Sequence, residues 1–146
     1  MPKPPVSQPR SSAVSSRTES LGAFRNAVSN WFVPLQVTST STSTHSFNAQ
    51  LSTVDADGVA FTEVAASPHV VERTPETICR GGGGYYKVSL LLAGQSVLVQ
   101  DGREVIMRPG DLTVYDTSRP YSLLFTEEFR NLIMMFPKDR LNIPVP

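Results

Sequence analysis

Five side chains carry the chemistry of small-molecule recognition: Trp31, His69, Arg73, Tyr86 and Tyr115. Aromatic walls hold the apolar body of a ligand, an arginine grips a carboxylate through two parallel hydrogen bonds, and His or Tyr orients a remaining polar group. An aromatic or carboxylate-bearing compound suits this set. Each residue also has a plainer role: Trp31 as core, Arg73 in a surface ion pair with Glu72 or Glu76, and the tyrosines as packing with wet hydroxyls. The catalytic alternative is an acid–base pair made by His69 with Tyr86 or Tyr121.

Other chemistries lack their residues. The two histidines, His45 and His69, have no motif spacing, and Cys79 is the one cysteine, so neither an internal disulfide nor a thiolate zinc cluster is available. No nucleophile elbow, P-loop or dinucleotide fingerprint occurs. The glycine run at 81–84 is not followed by Lys-Ser or Lys-Thr, which makes it a loose connection rather than a phosphate cradle. Lys plus Arg and Asp plus Glu total 13 each, so the chain has no basic footprint for nucleic acid. No apolar run approaches the roughly 20 residues that span a bilayer, and no apolar leader follows Lys3 and Arg10. A soluble, cytoplasmic protein without membrane contacts is expected.

The elements that must position these residues read as mainly β. Residues 1–20 are rich in Pro and Ser and are expected to form a disordered tail, followed by one domain over 21–141 and a short end at 142–146. Ser20 caps a helix in which Leu21, Phe24, Val28 and Trp31 share a face, and Pro34 stops it. Strands follow at 34–38, 47–53, 59–65, 69–73, 85–92, 96–100, 103–107, 112–115, 121–125 and 129–136, with a hydroxyl-rich stretch at 39–44. Asp57-Gly58 and Asp101-Gly102 mark type I′ hairpins. Turn signals every 8 to 12 residues predict an antiparallel barrel or sandwich, and 138–141 starts a final helical turn.

The motifs W-F-V-P-L at 31–35, E-R-T-P at 72–75, Y-Y-K-V-S-L-L-L-A-G at 85–94, Q-D-G-R-E at 100–104 and P-G-D-L-T-V-Y-D-T-S-R-P-Y at 109–121 occur in order. Together with F-R-N-L-I-M-M-F-P-K-D-R-L at 129–141, they resemble the N-terminal cupin-like ligand-binding domain of AraC/XylS-family transcriptional regulators. The resemblance implies a cupin-like antiparallel β-barrel or jelly roll. Such a domain binds a small effector or mediates dimerisation, and is joined to helix-turn-helix units that bind DNA. No recognition helix fits after Leu141, so the DNA-binding half is expected to be absent from this chain.

Metal-binding cupins place a Glu where this sequence has Lys87 and a His where it has Tyr121, with further His positions falling in 80–83. None of these can ligate a metal, so no metal and no cofactor are expected. The reading is therefore an effector sensor and not an enzyme, in which the tail at 1–20 or the loop at 81–84 orders over the ligand. The expected partners are a small-molecule effector, a second copy of the chain in a homodimer, and DNA only through a C-terminal domain. The alternatives are a dimerisation-only module, with the helix from 138–141 as its interface, and a metal-independent isomerase or epimerase.

Overall fold

The computed structural model describes residues 14–39 and 47–141. His45, the first thirteen residues of the expected tail, most of the hydroxyl-rich stretch and residues 142–146 lie outside the described residues. In chain order the elements are β1 (Val14–Thr18), α1 (Leu21–Trp31), β2 (Gln36–Ser39), β3 (Ala49–Ala56), β4 (Val59–Ala66), β5 (His69–Arg73) and α2 (Pro75–Cys79). There follow β6 (Tyr85–Ala93), β7 (Ser96–Gln100), β8 (Arg103–Met107), β9 (Leu112–Asp116), β10 (Tyr121–Phe125), β11 (Phe129–Pro137) and a 3-10 turn, Lys138–Arg140.

All strand pairs are antiparallel, and they form two sheets. One runs β1-β3-β4-β11-β6-β9 and the other β2-β5-β10-β7-β8. This is the expected two-sheet, cupin-like barrel. Two of its hairpins turn where the sequence required left-handed backbone: Asp57 and Gly58 have φ of 52° and 79°, and Asp101 and Gly102 have 55° and 73°. Two successive positive φ values define the type I′ turn, whose twist matches the flanking strands.

Side-chain alternation puts one face of each strand between the sheets. On β10, Tyr121, Leu123 and Phe125 are buried, while Ser122 and Leu124 between them are only half-buried. On β6 the same parity sends Lys87, Ser89 and Leu91 inward. The open end between the sheets is closed by α1, which buries Phe24 and Val28. The Ser20 side chain accepts a hydrogen bond from the Ala23 N–H at 3.1 Å and starts this helix, and the Phe32 N–H donates to the Val28 carbonyl at 2.9 Å and ends it.

Three expectations need correction. Val14–Thr18 is a strand and not tail: it pairs with β3 from Val14↔Thr53 to Thr18↔Ala49. Its alternation of Ser, Arg and Thr carries no apolar signal, because an edge strand gains its hydrogen bonds from a neighbour and needs little burial of its own. A short helix, α2, was missed after β5. Thr74 caps it reciprocally with Thr77, the N–H of each residue donating to the other's hydroxyl, and Pro75 opens it. The cap is visible in T-P-E-T, but with Thr at the position where Glu or Gln is usual.

The third correction concerns the glycine run, which is tied down rather than loose. The Gly81 carbonyl accepts from Arg73, the Gly82 carbonyl accepts from the Thr117 hydroxyl at 2.8 Å, and the Gly84 N–H donates to Ser118 Oγ at 2.9 Å. Gly82 is required in this loop: its φ is +80°, and a Cβ there would lie 2.7 Å from Val33.

Candidate functional site

Between the sheets and beneath α1 lies a cavity of about 30 Å³, lined by Phe24, Val28 and Phe32 from the helical side and by His69, Lys87, Tyr115 and Asn131 among the strand residues. By the usual minimum for one water molecule, it holds a group of a few heavy atoms, well short of the several hundred Å³ of a typical ligand pocket. Most of the interior is filled by the protein's own side chains. Larger grooves lie near Arg17 and Asn48 and near Arg130, away from the core between the sheets.

Lys87 is the unusual group. It is 2 % exposed, and its Nζ donates to the Tyr121 hydroxyl at 3.0 Å. The same atom lies 4.6 Å from the centre of the Phe32 ring. Among the described residues no carboxylate forms an ion pair with it. Burial, and after it the positive charge of Arg73, lowers the ammonium to about 7. The partners respond in the opposite sense: burial holds Tyr121 well above the ordinary phenol range, aided by Tyr115, and pushes Tyr115 up to about 12. Both phenols therefore stay protonated at neutral pH.

A polar wall continues from this pair. The Tyr115 and Tyr121 rings meet edge-on with centroids 4.8 Å apart. The Tyr115 hydroxyl lies 3.5 Å from Ser89 Oγ, at the limit of a hydrogen bond, and Asn131 Nδ2 donates to that Oγ at 3.0 Å. Asn131 Oδ1 is buried without a donor. A buried acceptor left without a donor is costly, and at a cavity wall it offers a place for a ligand O–H or N–H.

His69 stands in a different environment. Its ring is surrounded by Phe24, Phe47, Phe125 and Phe129, with centroids 4.8 to 5.8 Å away. Nδ1 lies 2.9 Å from the Ser67 carbonyl. A carbonyl only accepts, so Nδ1 carries the proton of the neutral ring. Burial lowers this histidine to about 4, only partly offset by the Ser67 bond.

The structure brings His69 and Tyr115 of the sequence candidates to the cavity and leaves three elsewhere. Arg73 is 1 % exposed and is not in a surface ion pair with Glu72 or Glu76. Its guanidinium instead donates to four carbonyls: Thr117 at 2.9 Å, Pro34 at 3.0 Å, Thr77 at 2.9 Å and Gly81 at 2.7 Å. It ties together the loop before β2, α2, the glycine run and the turn after β9. Tyr86 points to the other face of β6, against Phe136 and under Lys138. Trp31 packs half-buried at the end of α1. Arg119 braces its turn by pairing with Asp101 and, at 3.6 Å, with Asp116.

Lys87, Ser89, Asn131 and Phe32 were not among the candidates, and Tyr121, considered only as a partner of His69, pairs with Lys87 instead. The signal for the first was present: Lys87 and Ser89 share strand parity with Leu91, so a core position for Leu91 places a lysine inside. The metal comparison also pointed there. The positions that hold Glu and His in metal-binding cupins come together as the Lys87–Tyr121 pair, and an amine with a phenol is no site for a hard or borderline cation. Among the described residues no three His, Cys, Asp or Glu side chains cluster as a metal site would require.

The sequence model of the AraC-binding-like domain matches residues 24–146. The chain belongs to this family. The AraC-binding-like domain described here superposes on the AraC-like transcriptional activator CuxR with a TM-score of 0.78 and 18 % identity, over 88 % of this chain and 48 % of that one. It is 33 % identical over 84 % of its length to an uncharacterized protein in the nit 5′ region of Bacillus sp. strain OxB-1, covering 47 % of that protein. A predicted oxalate decarboxylase from Thermotoga maritima shares the fold at TM-score 0.50 and 14 % identity, over 70 % of this chain and 91 % of its own. The domain thus spans about half the length of the curated relative and of CuxR. No helix among the described residues is long and apolar enough to cross a membrane.

Proposed function

We propose that this domain is the effector-sensing part of an AraC-type transcriptional regulator, binding a small organic molecule without metal or catalysis and controlling DNA binding by a helix-turn-helix domain beyond this chain. The observation that carries the reading is Lys87: a buried amine with no carboxylate partner among the described residues, lining the same cavity as the Asn131 acceptor, which has no donor among them. Neither group is needed to fill a core, and apolar residues of similar size would stabilise the fold more. Family membership supplies the regulatory half of the argument.

A ligand larger than a few heavy atoms enters only if Phe32 and α1 move, because they form the cavity's roof. That requirement is a transduction device. A compound that binds the displaced-helix state shifts its population, and taking such a switch from 1:99 to 99:1 needs about 5.5 kcal/mol of differential affinity. Thermal-shift screening against small acids, carbonyl compounds, amines and sugars tests the reading, since a ligand at 100 times its Kd stabilises the native state by about 2.7 kcal/mol. Absence of a shift with every class would leave dimerisation as the better account.

Dimerisation has an observation of its own. The outer face of the first sheet carries a row of apolar side chains across five strands, Val54, Phe61, Met134, Val88 and Val114, in cross-strand register. Phe61 and Val114 are 39 % and 50 % exposed. An uncharged row of this kind is self-complementary under a two-fold axis, which suits a second copy of the chain. Val114→Arg would then lower the apparent mass in sedimentation equilibrium; unchanged mass would remove this face as the interface.

A further inference from the structure

We propose that the Lys87 amine captures a short-chain aldehyde or ketone as an imine, making a reactive carbonyl the ligand class of this chamber. The inference rests on the sensor reading and specifies its chemistry. Three features of the geometry carry it.

The first is the setting of Nζ. It faces the Phe32 ring at 4.6 Å and the Tyr115 and Tyr121 rings at 5.8 and 5.6 Å. Among the described residues, the titratable and charged groups around it are Tyr115 and Tyr121 by their rings, His69 on the same cavity wall and Arg73 by its charge, and none is a carboxylate that would hold it as an ammonium. Arg73 cannot turn to a ligand, since four of its five N–H groups are held by carbonyls. A lysine desolvated among apolar groups and near a second cation is the arrangement that frees an amine for nucleophilic attack on carbonyl carbon. With the ammonium at about 7, about half of the amine is free at neutral pH, against roughly one part in 2,500 for an ordinary lysine.

The second is the Tyr121 hydroxyl, 3.0 Å from Nζ and held protonated by burial. Imine formation begins with the Nζ lone pair adding to the carbonyl carbon while the C=O π pair moves to oxygen. A proton passes from nitrogen to that oxygen, giving a neutral carbinolamine. Loss of the C–O bond with the second nitrogen proton then releases one water and leaves C=N. Amine and carbonyl become imine and water, with no change of oxidation state. Tyr121 can relay the proton by donating to oxygen as it accepts from nitrogen, and ends as it began.

The third is size and polarity. About 30 Å³ admits a carbonyl head with a short alkyl group and little else. Asn131 Oδ1, buried without a donor, can accept from the carbinolamine hydroxyl.

The sequence simplifies the test, because its lysines are Lys3, Lys87 and Lys138. The full chain is incubated with propanal and sodium cyanoborohydride at pH 7, and N-propylation is mapped by peptide mass spectrometry. Lys87 is expected to be labelled about tenfold or more faster than Lys138, saturably, and at no advantage once the chain is unfolded in urea. Tyr121→Phe should slow labelling at Lys87 while leaving Lys138 unchanged, and Lys87→Met should abolish the saturable component. Labelling of Lys87 no faster than Lys138 overturns the proposal. If propanal, propionate, propanol or any other class in the thermal screen nonetheless raises the melting temperature, the sensor reading survives with a non-covalent ligand; with no label and no shift from any class, both fall.

Discussion

Replacing Lys87 with Met is expected to stabilise the domain at neutral pH, and the size of the gain follows from where the amine titrates. The folded-state value of about 7 against 10.5 is a depression of about 3.5 units, so confining the charge costs about 5 kcal/mol once pH falls below both steps of the titration. Between pH 7 and 10.5 the unfolded lysine keeps a proton that the folded one has released. The unfolded state therefore binds more protons, and stability rises with pH by about 1.4 kcal/mol per unit across this window. Met fills a similar volume without charge, but it leaves the Tyr121 hydroxyl without its partner at a cost of about 1–3 kcal/mol. The net expectation at pH 7 is a gain of about 2–4 kcal/mol. Urea denaturation of both proteins at pH 7, 8 and 9 is the assay. The wild type should gain about 2 kcal/mol relative to the variant between the first and last of these, since at pH 7 the folded amine is already half titrated. Parallel pH profiles, or a variant less stable throughout, would refute the claim that an unneutralised amine is buried here.

His69 makes the corresponding prediction on the acid side. Below 6.5 the unfolded ring takes a proton that the folded ring refuses until about 4, so stability is lost as pH falls through that window, by about 3 kcal/mol in all. His69→Phe should flatten this acid limb in denaturant titrations at pH 4 to 7. Arg73→Met leaves four carbonyls without their donor, and a loss of about 3–5 kcal/mol is expected, with faster hydrogen exchange in the glycine run, read by mass spectrometry. Gly94→Ala forces a Cβ to 2.6 Å from the Glu128 carbonyl oxygen at a φ of +88°, so the melting temperature should drop by several degrees, about 1–3 kcal/mol.

Most of the fold was legible because its strands declare themselves twice, by alternation and by the turns between them. The strands at 69–73, 96–100, 103–107 and 121–125 fall at the expected bounds. Both Asp-Gly pairs turn as their residue types demand. What failed was structure fixed by distant partners. Nothing local in Val-Ser-Ser-Arg-Thr announces a strand; its order comes from backbone pairing with β3, between Thr18↔Ala49 and Val14↔Thr53. The glycine run looks loose for the same reason, since Thr117 and Ser118 that hold it are remote in sequence, and the nearer Arg73 gives no local sign of turning its guanidinium toward it.

The site was legible in its absences more than in its residues. The loss of Glu and His at two cupin positions was evident, yet reading it only as subtraction hid what the replacements do together. Residue type misled in the same way for Arg73. An arginine near a cavity suggests a carboxylate, but five fixed donors are equally suited to gathering carbonyls from several loops, and only the fold tells which set is nearer. Lys87 is the converse case. A lysine has one charged centre and a long stem, and on most strands it would reach water. On β6 its core-side neighbours are Tyr115, Tyr121 and Phe32, so the stem leads the amine into an apolar chamber. About half of the charge that a surface position would keep is given up there at neutral pH, and a solubilising residue becomes a nucleophile. If the effector reacts with or hydrogen-bonds to that amine, the group displaced is Phe32 at the end of α1, and the helix that roofs the chamber is the first element to register the ligand.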